Sequence, residues 1–101
     1  MIHELKCLPK YFGAQTDGSK SFEVRKNDRN FQVGDFLALN EYDGGYTGAC
    51  MLVKVTYVLD DAAYCKPGYV VMGTKPCRIL GQREERICNI DWDGIPVYRR
   101  P

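Results

Sequence analysis

Between Phe36 and Tyr42 the chain is mostly apolar, and turn residues bracket the segment: Val33-Gly34-Asp35 before it and Asp43-Gly44-Gly45 after it. A short apolar run closed in this way predicts a strand, and the Asp-Gly-Gly triplet predicts a hairpin into the next one. That partner, Cys50 to Leu59, is the longest strand of the pattern. Alternation assigns Val53, Val55 and Tyr57 to one of its faces, and Asp60-Asp61 ends it. Tyr69 to Met72, set between Gly68 and Gly73, predicts a further strand. Upstream, residues 2–8 predict an opening strand. Pro9 then stands where a first helical turn accepts proline. Pro9 to Asp17 predicts two helical turns ending near Gly18, with Gly13 as a weak point because glycine costs about 1 kcal/mol against alanine inside a helix. From Lys20 to Arg25 the pattern alternates again, with Phe22 and Val24 on one face and Glu23 and Arg25 toward the other, joined by Lys20 with Ser21 out of phase. Lys26 to Asn30 is a polar turn, since Asn and Asp bond their own backbone and tolerate unusual dihedrals.

Short strands at close spacing with one early helix predict an α+β, mainly β fold, a pseudo-β-barrel of about five to seven strands rather than a parallel sheet. Residues 1–101 read as a single domain with a core over about 2–75. Beyond Lys75 the alternation fades. Residues 76–101 read as an extension that adds a final hairpin to the barrel or reaches another subunit. It contains the charged stretch Arg83-Glu84-Glu85-Arg86 and the turn Asp91-Trp92-Asp93-Gly94.

Fourteen Lys and Arg against thirteen Asp and Glu leave a net charge of +1. Attraction to a polyanion must therefore come from a local patch. No apolar run approaches the ~20 residues that span a bilayer, and the first residues lack the basic start and apolar stretch of a secretory signal. A cytoplasmic protein without membrane contact is expected. The cysteines are Cys7, Cys50, Cys65, Cys77 and Cys88. None of them lies at the close spacing that brings two thiolates onto one zinc ion. They read as reduced structural residues, with Cys77 and Cys88 the most exposed, and no metal is expected. His3, the lone histidine, reads as a hydrogen-bonded strand residue rather than a catalyst, with Cys7 left open as a spatial neighbour. Asp60-Asp61 and Asp91/Asp93 read as turn caps. No glycine pattern of a Walker or Rossmann loop occurs, and no cofactor is expected.

The densest functional stretch runs from Gly18 to Arg29 and contains Lys20, Glu23 and Arg25. A lysine beside an arginine can hold a phosphate or a carboxylate, the arginine supplying a planar fork. Glu23 can accept from a base amino group or neutralise the arginine. The structural alternative is a solvated strand face whose ion pairs contribute ~0–1 kcal/mol each.

Three segments, HELKCLPKYF, GSKSFEVRKNDRNFQVGD and YTG…VTYVLDD…GYVVMG, together resemble a small, uncharacterised bacterial and phage family within the ASCH/PUA-like superfamily. The resemblance runs from His3 to about Met72. It implies a PUA-like (ASCH) pseudo-barrel with a cleft between the early helix and the sheet. Lys20 and Arg25 match the two cations of the motif and Glu23 its acid, while Lys26 and Arg29 extend a basic rim. Related PUA-like domains bind RNA. The first expectation is therefore an RNA- or nucleotide-binding module, with Lys20, Arg25, Lys26 and Arg29 on phosphates and Tyr11, Phe12 or Tyr46 stacking on a base. Of these rings, Phe12 fits the core better. A second expectation is an amidohydrolase acting on acetylated cytidine nucleosides. The relatives that suggest it use a lysine, a threonine and a glutamate. Lys20 matches the lysine, Glu23 stands where the threonine would be, and Ala62 to Pro67 offers no match for the glutamate. Lys20 and Glu23 are the remaining candidates for catalysis. A third is a protein-interaction module in which Trp92, with Ile87, Ile90, Ile95 and Val97, forms a docking surface.

Overall fold

The β3–β4 hairpin is the frame on which the rest is built. In the computed structural model, β3 is Phe36–Tyr42 and β4 is Tyr46–Leu59. The two pair antiparallel, and Tyr42 opposite Tyr46 closes the Asp43-Gly44-Gly45 turn. The structure describes residues 1–77 together with the backbone of 87–90 and 96–99. Arg83 to Arg86, Asp91, Trp92, Asp93 and Ile95 lie outside the described residues. So do the side chains of Ile87, Cys88, Ile90 and Val97.

The remaining elements are β1 (Ile2–Cys7), α1 (Pro9–Thr16), β2 (Phe22–Lys26), β5 (Tyr69–Pro76), β6 (Ile87–Ile90) and β7 (Pro96–Arg99). The main sheet runs β1-β3-β4-β5-β2. β1 lies parallel to β3, and the other neighbours are antiparallel. β7 pairs with the first half of β4, at Ala49–Met51, and with β6. Among the described residues the fold is mainly β with one short helix, a five-strand sheet curled into a half-barrel. β1 and β2 are its terminal strands, so each keeps one edge unpaired by the sheet path.

The inner face carries the core. Leu37 and Leu39 of β3, Met51, Val53 and Val55 of β4, and Val70 and Met72 of β5 form one buried cluster. Phe12 of α1 joins them, which is what holds the helix on the sheet. On the opposite face Ala38, Cys50 and Leu52 make a smaller cluster against Phe36 and Cys77. β3 is thus covered on both sides, and its apolar run needs no alternation. α1 begins with Pro9 in its first turn and stops at Asp17, after which Gly18 takes φ +83°. That left-handed value is the usual exit from a helix and favours glycine.

One expectation needs correcting. Val53 and Val55 are fully buried, but Tyr57 is 62% exposed. The register against β5 shifts between Val55 and Tyr57, so an extra residue enters β4 there and the side-chain phase inverts. The bulge also explains Gly73. A Cβ at that position would lie 2.8 Å from Thr56 Oγ1 and 3.4 Å from Tyr57 Cβ. Only glycine fits under the bulge without displacing it.

His3 is buried in β1, as its reading as a hydrogen-bonded strand residue requires. Its Nε2 lies 2.8 Å from Asp35 Oδ2, and its ring meets Phe31 edge-on at 4.8 Å. Asp35 also accepts from the Gln32 backbone N–H at 3.1 Å. The hydrogen bond to His3, with help from Gln32, holds the Asp35 carboxyl below its ordinary value of 3.8. A depressed carboxyl adds stability that is complete above the unfolded value and is lost as pH falls through the folded one. Asp35→Asn should therefore cost about 1 kcal/mol near neutral pH and nothing once acid has protonated the wild-type carboxyl. Urea midpoints measured at both pH values check this. An offset that persists in acid would contradict it.

Candidate functional site

β2 folds with its charged face inward. Glu23 is 2% exposed, whereas Phe22 and Val24 are 44% and 52% exposed. The alternation was legible, but the solvated charged face does not hold. The inversion is possible because the buried carboxylate is completely bonded. Arg25 donates through Nε and Nη2 to Glu23 Oε1, at 3.1 and 3.0 Å. Gln15 Nε2 donates to Oε2 at 2.9 Å, and the Lys20 ammonium forms an ion pair with the same oxygen. An uncompensated buried carboxylate would be prohibitive, whereas one with four donors is tolerated.

Three elements supply this cluster through residues at inward phases. In α1, Gln15 follows Phe12 by three positions and is buried on the same face. In β5, Thr74 continues the inward series Val70, Met72. Gln15 Nε2 also contacts Thr74 Oγ1 at 3.3 Å and donates to Phe22 O at 3.1 Å. Gln15 and Thr74 were missed in the sequence. The signal was there: a polar side chain at a core-facing phase needs a buried partner.

The cluster forms one wall of a cleft of about 660 Å³. Lys6 and Cys7 of β1 and Tyr11 and Ala14 of α1 line it opposite Lys20 and Arg25. The cleft therefore opens between the two terminal strands of the half-barrel, under the helix. Lys20 Nζ sits 5.4 Å from the Tyr11 ring centroid and 5.2 Å from that of Phe22, so two aromatic faces help fix it. Arg25 spends Nε and Nη2 on Glu23, which leaves Nη1 for a ligand. The backbone of β2 contributes as well. Thr74 N–H donates to Ser21 O and Asn27 N–H to Gly68 O, so by alternation the amide groups of Val24 point away from β5, to the open side.

A second cleft of about 330 Å³ continues along the same gap. Lys26, Arg29 and Tyr46 line this one, and Lys6 and Arg25 belong to both. Arg29 spans the gap, donating from Nη1 to Glu4 O at 2.9 Å. Of the residues singled out in the sequence, Lys20, Glu23, Arg25 and Tyr11 are thus brought together in the larger cleft. Lys26, Arg29 and Tyr46 belong to the smaller one, and Phe12 is core.

Cys7 lines the larger cleft but is 3% exposed. Burial, reinforced by the Glu23 charge, pushes its thiol up to about 11 against the opposing effects of Arg25 and Lys20. It is a packed thiol, not a nucleophile. His3 lies four residues away on the same strand, about 13 Å along it, and is bound to Asp35, so no Cys–His pair forms. At the Asp60-Asp61 turn, Asp61 Oδ1 accepts from the Ala63 N–H at 2.8 Å, a turn cap. Among the described residues no helix is long and apolar enough to cross a membrane.

The comparisons with known proteins agree with the extent of this unit. A sequence profile described as Domain of unknown function (DUF3850) matches residues 2–74, from β1 into β5. The chain is also similar to a protein of Escherichia phage P2 described as an uncharacterized 12.9 kDa protein in the GpA 3′ region. The two are 39% identical over 82 residues, which is 80% of this chain and 71% of the phage protein. The match to most of the folded unit shows that the chain belongs to the DUF3850 family.

Proposed function

We propose that this domain is an RNA- or nucleotide-binding module of the ASCH/PUA-like type, and that its ligand enters the gap between β1 and β2. The observation that carries the reading is Glu23. A buried carboxylate with four donors fixes one lysine and one arginine at the wall of an open cleft. Such an arrangement presents positive charge in a set geometry and suits phosphate. The aromatic rings of Tyr11 and Phe22, each about two-fifths exposed, add surfaces on which a base can stack. Together the two clefts are lined by five cationic side chains and three carboxylates, so the local excess of positive charge is larger than the +1 of the whole chain. The half-barrel with an early helix beside the motif supports the superfamily placement. Free thiols at Cys7, Cys65 and Cys77 support a reducing, cytoplasmic setting.

Catalysis has less support. Both Glu23 oxygens are occupied by donors, Cys7 is held as a thiol, and the Thr74 hydroxyl is buried against Gln15. The docking surface around Trp92 lies outside the described residues.

The test is fluorescence anisotropy of a short single-stranded RNA at low and moderate salt. Lys20→Ala/Arg25→Ala would leave Glu23 buried without a counter-charge, so the triple variant K20M/E23Q/R25M is the better comparison, since it removes all three charges together. Wild type should bind with an affinity that falls with salt, roughly as the 1.5 to 3 power for a few phosphate contacts. The folded triple variant should bind at least about tenfold more weakly. Equal binding by both proteins, or no binding at low salt, would overturn the reading.

A further inference from the structure

The two clefts of the gap are lobes of one groove, and what joins them is Lys6 beside Arg25. Lys6 stands in the wall of both. Its Nζ lies 4.4 Å from the Tyr42 ring centroid and 5.9 Å from that of Tyr46, and the two tyrosines meet edge to face at 5.1 Å. Among the described residues no carboxylate lies within ion-pairing distance of this ammonium, in contrast to Lys20, whose charge is matched by Glu23. Arg25, across the gap, still has its Nη1 to offer. The junction therefore holds two cations with donors to spare. The lobes on either side each carry an exposed ring: Tyr11 in the larger and Tyr46 in the smaller.

We infer that the groove takes a single-stranded oligonucleotide step, two nucleosides joined by a phosphodiester, with the phosphate between Lys6 and Arg25 and one base in each lobe. This rests on the nucleotide-binding reading and assigns Lys6 and Tyr46 to the same site. A phosphodiester carries one negative charge and two unesterified oxygens, which suits a lysine and an arginine that line the same two lobes. A free mononucleotide can fill one lobe and the junction but leaves the second ring unused. Base stacking on an aromatic side chain is tolerant of sequence, so the groove reads the length of the strand before it reads the identity of its bases.

Calorimetric titration separates the cases. The probes are adenosine monophosphate and the adenine dinucleoside monophosphate, the latter in ribo and deoxyribo forms so that the same experiment reports the sugar accepted. The dinucleotide should bind wild type about tenfold more tightly than the mononucleotide, the gain expected from one further stacked base. In Tyr46→Ala the ratio of the two affinities should fall toward one, whereas Lys6→Met should weaken both probes, since each places its phosphate at the junction. If wild type binds both probes equally, or Tyr46→Ala keeps the full ratio, or Lys6→Met leaves both affinities unchanged, the two-lobed groove is wrong while a single nucleotide cleft survives. If neither probe binds at low salt, both readings fall together.

Discussion

Replacing Glu23 with Gln should lower the unfolding free energy by about 3 kcal/mol, since removing one member of a buried charge group leaves the others uncompensated. Gln has the size of Glu, so no cavity is created and the loss reports charge alone. In the wild type, Lys20 and Arg25 keep only 15% and 23% of their side-chain surface in water, and both lean on this carboxylate. With an amide in its place, the end facing Gln15 and Lys20 loses its acceptor capacity for at least one of them. For a domain of this size the change amounts to a fall in Tm of more than about 10 °C. Adding Lys20→Met to the variant should recover part of the loss, because one unmatched ammonium disappears. Thermal and urea unfolding of the two variants decide the matter. A cost for Glu23→Gln below about 1 kcal/mol would mean that the cluster behaves as an ordinary solvated ion pair.

The second large effect belongs to Phe12. It is the apolar side chain of α1 that enters the core cluster, buried to 7% exposure among β-strand residues. Phe12→Ala should cost about 3–5 kcal/mol, the range for removing a buried aromatic ring and leaving a cavity. The consequence reaches the site. Gln15 sits on the same helical face, one turn on, and Tyr11 is the adjacent residue, so loosening the helix withdraws a donor from Glu23 and a wall from the cleft together. Phe12→Leu should cost less, because Leu fills part of the cavity, and should retain ligand binding. If Phe12→Ala unfolds at the wild-type urea midpoint, the helix is held by something other than this ring.

These two residues also show what could be read from the sequence. Phe12 announced itself: a ring in a short helix between a strand and a glycine is most simply spent on the core. Phe36 to Tyr42 was legible for the same reason, an apolar run between strong turn residues. Glu23 was legible as special but not as buried, because strict alternation defines two faces without saying which one is wet. The decision was made by groups from elsewhere in the chain: Gln15, eight residues before it, donates to the carboxylate, and Thr74, more than fifty residues after it, is bonded to Gln15. Local pattern cannot bring such partners together. Tyr57 failed for a related reason. A bulge inserts one residue into the count, and nothing in Val55-Thr56-Tyr57 marks the slip except Gly73, which only makes sense once the strands are paired. The parallel pairing of β1 with β3, which leaves β1 and β2 as the two lips of the gap, is likewise a property of topology. Lys6 acquires its place at the junction from that arrangement alone.

The central claim is that the gap between β1 and β2 is where a nucleic-acid ligand sits. Amide chemical-shift mapping during titration with a short single-stranded RNA tests it most directly, because it reports location as well as binding. The account predicts that the largest changes fall on Lys6, Tyr11, Glu23, Val24 and Arg25, that they saturate, and that they weaken as salt is added. Changes confined to residues away from the gap, or no change at low salt with excess RNA, would contradict it.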